Sequence, residues 1–161
     1  MKEIPLTQGK VAQVDDEDYD WLMRWKWCAQ YNRKTGEWSV MRAEHKLIGR
    51  RTIYMHRQVM SAPEGMVVDH KDHNRFNNQK GNLRLCTHNQ NMFNRRPEKG
   101  SRSVYKGVSW HKGNGRWQAR ITVRGKAILL GYYGDEIEAA KAVDRASKEH
   151  HGEYAYLNFP E

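Results

Sequence analysis

Cysteine is nearly absent from this chain: two occur in 161 residues, Cys28 and Cys86. So few, placed so far apart, make no disulfide framework, which agrees with a reducing compartment. Proline is rare, with four residues, and phenylalanine rarer, with three. No apolar run is long enough for a membrane span or a signal-peptide core, and the stretch Met1–Lys10 is already polar. The expectation is a soluble intracellular, cytoplasmic protein with no membrane partner. Acids are in deficit: 19 Asp and Glu against 28 Lys and Arg give a net charge of +9 and a pI near 9.6. A basic balance of that size argues for a polyanionic partner. The excess is local, because residues 95–130 carry ten Lys or Arg and one acid, whereas 131–161 carry three and seven. The length suits one ordinary domain or two small ones, and the patterns below favour two.

Residues 1–55 read as a small mixed unit. Lys10–Val14 is strand-like, and Asp15–Asp18 places acids where a helix start favours them, ahead of Tyr19, Leu22 and Met23. Those four acids read as a helix amino terminus before they read as a metal site. Trp27–Tyr31 and Trp38–Arg42 flank a Gly-containing loop of hairpin length. With aliphatic residues in short supply, the tryptophans are expected to pack a core; stacking on bases is the alternative. Thr52–Tyr54 is a short strand, and Met55–Met60 is helical until Pro63 stops it. His56 is expected to pack or cap beneath the following motif, with approach to a site as the alternative.

That motif runs from Val67 to Asn94. Val67 and Val68 deliver Asp69-His70, a polar loop follows, Asn82–Leu85 returns as a second strand, and Thr87 opens a helix. Such a unit has little apolar content, so a metal between strand and helix is a physical candidate for holding it. Asp69 offers a carboxylate oxygen, Asn91 a side-chain carbonyl and His70 an imidazole, which suits Mg²⁺ or a similar hard divalent ion with a general base. Adjacent strand residues point to opposite faces, so Asp69 and His70 can share a site only where the strand ends. Seven asparagines lie between Asn74 and Asn94, and most are expected to serve loops and caps. A rival zinc set is His70, His73, Cys86 and His88, but Cys86-x-His88 is tighter than the usual spacer, so structural zinc ranks below the one-metal site.

The Asp69-His70 pair, Asn82 thirteen residues after Asp69, Asn91 nine further on and the N-L-R at 82–84 together resemble the HNH endonuclease motif. The M-H-R-x-V-M stretch at 55–60 resembles the segment preceding that motif in phage-type members. The resemblance implies that Asp69 and Asn91 ligate a divalent metal, Mg²⁺ first and Mn²⁺ second. It also implies that His70 is the general base and that Asn82 positions the loop that aims it. If the chain is phage-encoded, its compartment is a bacterial host cell.

After Asn94 the composition shifts. Residues 95–103 have no apolar side chain for a core except Pro97, and so read as a basic linker whose Arg95 and Arg96 follow a phosphate backbone. Tyr105–Trp110 is the first strand of a second module. Residues 116–124 alternate Trp117, Ala119, Ile121 and Val123 against Arg116, Gln118, Arg120, Thr122 and Arg124, a period of two with a basic outer face. Gly125 turns the chain into Lys126–Tyr133, and Asp135 with Glu138 starts a helix whose Ala139, Ala142, Val143 and Ala146 share a face up to Gly152.

This module, with Y-K-G-V at 105–108, L-G-Y-Y at 130–133, E-A-A-K-A-V-D-R-A in the helix and L-N-F-P at 157–160, is similar to the Apetala/ethylene-response-factor DNA-binding domain. In that family the sheet lies in the major groove of double-stranded DNA. By position, Lys106, Trp110, His111, Arg116, Arg120, Thr122, Arg124 and Lys126 would meet DNA. Ser109, Thr122 and Leu129 depart from plant members, so a plant target sequence does not transfer.

The expected fold class is α+β: an amino-terminal mixed unit with a strand-loop-strand-helix metal motif, and a small carboxy-terminal three-stranded antiparallel sheet packed on one helix. The expected domains are 1–96 (nuclease), 97–102 (linker) and 103–161 (DNA-binding). The function they predict is metal-dependent cleavage of DNA at a site chosen by the second domain, as in homing endonucleases, by a monomer. The alternative is a regulator that binds DNA without cutting. RNA ranks third, since A-form geometry disfavours a β-sheet reader of the major groove.

Overall fold

The computed structural model describes residues 1–45, 49–97, 100 and 102–160. It divides into two compact units, Met1–His88 and Asn89–Glu161. Its class is α+β, built of small antiparallel sheets and helices.

In the first unit, β1 (Lys2–Pro5) pairs antiparallel with β2 (Val11–Val14). Helix α1 (Asp16–Leu22) follows, with Asp16, Glu17 and Asp18 in its first turn, where the positive end of the helix dipole favours acids. Asp15 stands at the cap position, yet its carboxylate bonds elsewhere, accepting from the Lys80 backbone N–H at 2.8 Å and the Gln79 amide at 3.0 Å. A three-stranded antiparallel sheet comes next, β3 (Cys28–Asn32), β4 (Glu37–His45) and β5 (Arg50–Tyr54) in that order. The short helix α2 (Met55–Val59) leads on, and the Arg57 guanidinium ties it to the carbonyls of Ala62, Pro63 and Met66. A two-stranded ladder of β6 (Val67–His70) and β7 (Leu83–Cys86) completes this unit.

The aromatic residues do pack here. Trp27 is buried among Ile4, Val14, Leu22, Val40 and Met55, its indole N–H donating to the Leu22 carbonyl, and Trp21, Trp38 and Phe76 lie against the same core. A tryptophan gives a small core much apolar area per residue, provided its N–H is satisfied. Trp25, partly exposed, is covered by the Arg42 guanidinium 4.5 Å from its ring.

The second unit begins with α3, whose full range is His88–Phe93; Thr87 precedes it. Of the expected linker, Glu98, Lys99 and Ser101 lie outside the described residues, as does Glu161 at the chain's end. A three-stranded antiparallel sheet, ordered β10 (Lys126–Tyr133), β9 (Arg116–Val123), β8 (Val108–His111), packs on α4 (Glu136–His151). Ala139, Ala140 and Val143 meet Val108 and Ala119 in its core. The Asp135 side chain accepts from the Glu138 N–H, which opens α4 as the capping pattern predicts. Strand β8 starts three residues later than Tyr105, because Gly107 holds φ +77° and a Cβ there would stand 2.5 Å from the Arg120 carbonyl. Only glycine lets the backbone approach so closely. Arg124 leaves the strand too: with φ +49° it shares a two-residue turn with Gly125. Among the described residues, no helix is long and apolar enough to cross a membrane.

Candidate functional site

Asp69 and His70 end β6. The register sets Asp69 opposite Arg84 and His70 opposite Leu83 on β7. Successive strand residues alternate faces, and each of the two side chains is buried in its own surroundings, at 6% and 2% exposure. The Arg84 guanidinium donates from Nε and Nη2 to one Asp69 oxygen, Oδ2, at 3.0 and 2.7 Å. The His70 ring meets His56 of α2 edge-on, 5.2 Å between centroids. His56 thus lies beside the motif's histidine, and its ring centroid is also 5.7 Å from that of Tyr54.

Burial is the largest influence on both imidazoles. It pushes His70 down to about 4, with the charge of Arg75 acting in the same direction and the Asn78 hydrogen bond, Asp72 and Asp69 opposing. His56 goes down to about 3, through burial and then the charges of His70, Arg75 and Arg57. At neutral pH both rings are therefore neutral, the form in which an imidazole can accept a proton.

The loop 71–82 is held by side-chain amides. Asn82 accepts from the Asp72 N–H at 3.1 Å, and its amide donates to Asp72 Oδ1 at 2.9 Å and to the Asn77 carbonyl at 2.8 Å. Asp72 also accepts from the Asn74 N–H and the Asn77 amide. Burial works to raise its pKa, but these bonds outweigh it and hold the carboxyl below the usual range. Asn78 is fully buried; its N–H donates to the Gln13 carbonyl, and the Gln13 N–H donates to the Phe76 carbonyl, so the loop is docked on β2. Arg84, Asp72 and Asn78 are the participants that reading the sequence missed. The Asx-turn spacing of Asp72 and Asn74 was an available signal, and the N-L-R register could have pointed to Arg84.

Asn91 lies in α3, half-buried, and so belongs with the second unit. Among the described residues, no three His, Cys, Asp or Glu side chains gather as a metal-binding group. Cys86 is buried, and burial first of all pushes its thiol up.

In the second unit Arg116, Arg120 and Thr122 project from β9, exposed, with Arg124 and Lys126 exposed at the turn, while Arg95 and Arg96 are exposed ahead of the module. Gln118, in the same alternation, is buried at 5% and donates to the Tyr132 hydroxyl at 3.0 Å. Trp110 and His111 are half-buried, held edge-on by Trp117 and Tyr132. Lys106 differs from its expected place: its ammonium points inward and donates to the carbonyls of Phe93 and Met92, at 2.5 and 3.4 Å. Burial, then the charge of Arg95, pushes it down to about 8.

Residues 61–93 match the HNH endonuclease family. The chain is 31% identical over 151 residues to an uncharacterized HNH endonuclease of Acanthamoeba polyphaga mimivirus, covering 94% of this chain and 76% of that protein. It is 33% identical over 93 residues to Protein 3.8 of Escherichia phage T7, covering 58% of this chain and 76% of that one. A stretch of 59 residues is 46% identical to an ethylene-responsive transcription factor of Arabidopsis thaliana, of which it spans only 14%.

Proposed function

We propose, on the premise that this chain belongs to the HNH endonuclease family, that it cuts double-stranded DNA by metal-dependent hydrolysis of a phosphodiester bond, at sites chosen by its carboxy-terminal module. The family supports a nuclease-type activity on DNA, and HNH endonucleases generally use a divalent metal. Its further assignment here is to a homing-type enzyme, with domains at 1–96 and 103–161 joined by a basic linker.

The observation that carries the reading is the buried imidazole of His70 at the end of β6, which its burial favours in the neutral form, followed by an amide-bonded loop. The donor chemistry fits a hard cation: Asp69 offers a carboxylate and Asn91 an amide oxygen, and Mg²⁺ or Mn²⁺ takes such ligands. When bound, the cation supplies charge stabilisation at the leaving oxygen. His70 takes the proton of the attacking water on a ring nitrogen. Asn82 and Asp72 keep the loop closed so that the ring is aimed, and Arg116, Arg120, Thr122, Arg124 and Lys126 hold the duplex, with Arg95 and Arg96 along its backbone. Trp110 and His111 would border that face.

One observation favours the non-cleaving reading: the Asp69 oxygen Oδ2 is already in an ion pair with Arg84. Incubating the full chain with mixed genomic DNA and Mg²⁺ or Mn²⁺, with and without chelator, separates the two. Cleavage that chelator abolishes supports the enzyme; binding with no cleavage under any metal supports the regulator.

A further inference from the structure

Arg42, in the middle of β4, is only 8% exposed. Its guanidinium lies 4.5 Å from the Trp25 ring and 5.7 Å from that of Trp27. A planar cation held against aromatic faces keeps its edge for donating hydrogen bonds. Within the chain that edge is poorly matched: Nη2 reaches Gln58 Oε1 at a long 3.4 Å and Glu44 Oε1 at 3.6 Å. Among the described residues, Nε has no hydrogen-bond partner. Glu44 also stands opposite Arg51 in the β4–β5 register, so one carboxylate faces two guanidinium side chains. A buried charge is costly unless well paired and fully hydrogen-bonded, and the unmatched edge therefore points to an anion from outside the chain.

The space for one is there. Arg42, Arg51 and Arg57 line an open cleft of about 630 Å³ between β5 and the turn after α2, with Gln58 and Ser61. Glu64 is the one acid among its described lining residues. Arg57 donates to three backbone carbonyls, so it brings charge to the cleft more than available donors. Helix α2 borders both places: the His56 ring meets His70, and the next two residues line the cleft.

We propose that this cleft holds a backbone phosphate of the duplex, with Arg42 and Arg51 as its donors, so that the first unit grips its substrate through a site of its own. This rests on DNA being the substrate. Guanidinium groups match phosphate oxygens in charge and in geometry, since two N–H groups can point along one edge. Glu44 and Glu64 bound the site on its acidic side, and the exposed Arg51 is the residue a phosphate meets first.

The test uses the full chain and duplex DNA in chelator, with affinity measured across a salt series and folding checked by thermal unfolding. Arg51→Gln and Arg42→Met are compared with Arg33→Gln, which removes an exposed arginine from the β3–β4 turn. Arg51→Gln should weaken binding roughly 10- to 100-fold and lower the slope of log affinity against log salt by about 0.9. Arg33→Gln should bind like wild type; an equal loss there would mean a general effect of charge and overturn the cleft. Arg42→Met leaves an apolar side chain over the two tryptophans, and should lose duplex affinity while staying folded. Should Arg42→Met unfold, Arg51→Gln still decides. Lower stability in Arg42→Met with duplex affinity intact would make Arg42 a structural cation and overturn its part as a donor. Unfolding in inorganic phosphate, against chloride at equal ionic strength, separates the two sources of the anion. If phosphate stabilises wild type but not Arg51→Gln, and both bind duplex equally, the ligand is free phosphate and the DNA assignment fails. A wild-type chain with no salt-dependent duplex binding would overturn DNA as the substrate, and the cleft's ligand with it. Salt-dependent binding that neither cleft variant changes would overturn the cleft alone.

Discussion

Asp69 and Arg84 stand directly opposite each other across the β6–β7 ladder, and two N–H groups of the guanidinium converge on one carboxylate oxygen. Both side chains are about nine-tenths buried. Removing one partner of such a pair leaves the other charge in a poorly solvated place, which typically costs about 3–5 kcal/mol. Arg84→Met should therefore destabilise the chain by that amount in chelator, read by denaturant unfolding. A loss below about 1 kcal/mol would mean that the pair is solvated in solution.

The two neutral histidines set an acid limit. His56 at about 3 and His70 at about 4 lie below their unfolded value near 6.5. Between those values the unfolded chain binds protons that the folded chain does not, so stability is full above about 6.5 and falls as pH drops toward 4. His56→Gln should flatten the slope of unfolding free energy against pH in that window by up to one proton, about 1.4 kcal/mol per pH unit, measured in chelator. An unaltered slope would place His56 in a wetter setting than its burial indicates.

Periodicity made most of this fold legible. The alternation at 116–124 and the Asp135–Glu138 capping pair each named an element within a residue or two, because a buried sheet face and an orphan helix N–H leave local traces. The site was less legible. Asp69, His70, Asn82 and Asn91 were singled out by their donor chemistry and their resemblance to the HNH motif, but the pairing of Asp69 with Arg84 depends on register, and the hub at Asp72 depends on which of several asparagines reach it. The bonds of the Lys106 ammonium were hidden for a related reason: its position in a basic stretch says nothing of the carbonyls of Met92 and Phe93, which only the folded chain brings to it.

On the basic face, Arg120→Ala should weaken duplex binding by the full chain in chelator. If the side chain meets a phosphate, the slope of log affinity against log salt should drop by about 0.9. If it meets a base, the loss should be about 1–3 kcal/mol and confined to one position of the site. Binding that ignores both salt and Arg120 would remove β9 as the DNA-reading strand.

His70 separates cutting from holding. A general base matters only while water attacks phosphorus, so His70→Ala should slow cleavage by about 10²- to 10⁴-fold and leave duplex affinity in chelator unchanged. The ring is 2% exposed and packs edge-on against His56, so its removal also opens a small cavity, and a modest fall in stability is expected alongside. For that reason the decisive measurement is a pair, single-turnover cleavage and duplex affinity on the same variant, at a temperature where unfolding data show it folded. His70→Gln, closer in volume and able to hydrogen bond but not to take the proton, should be as slow as the alanine variant with better stability. Should the glutamine variant cut at the wild-type rate, the base is another group, and His56, whose ring lies against His70, is the next to replace.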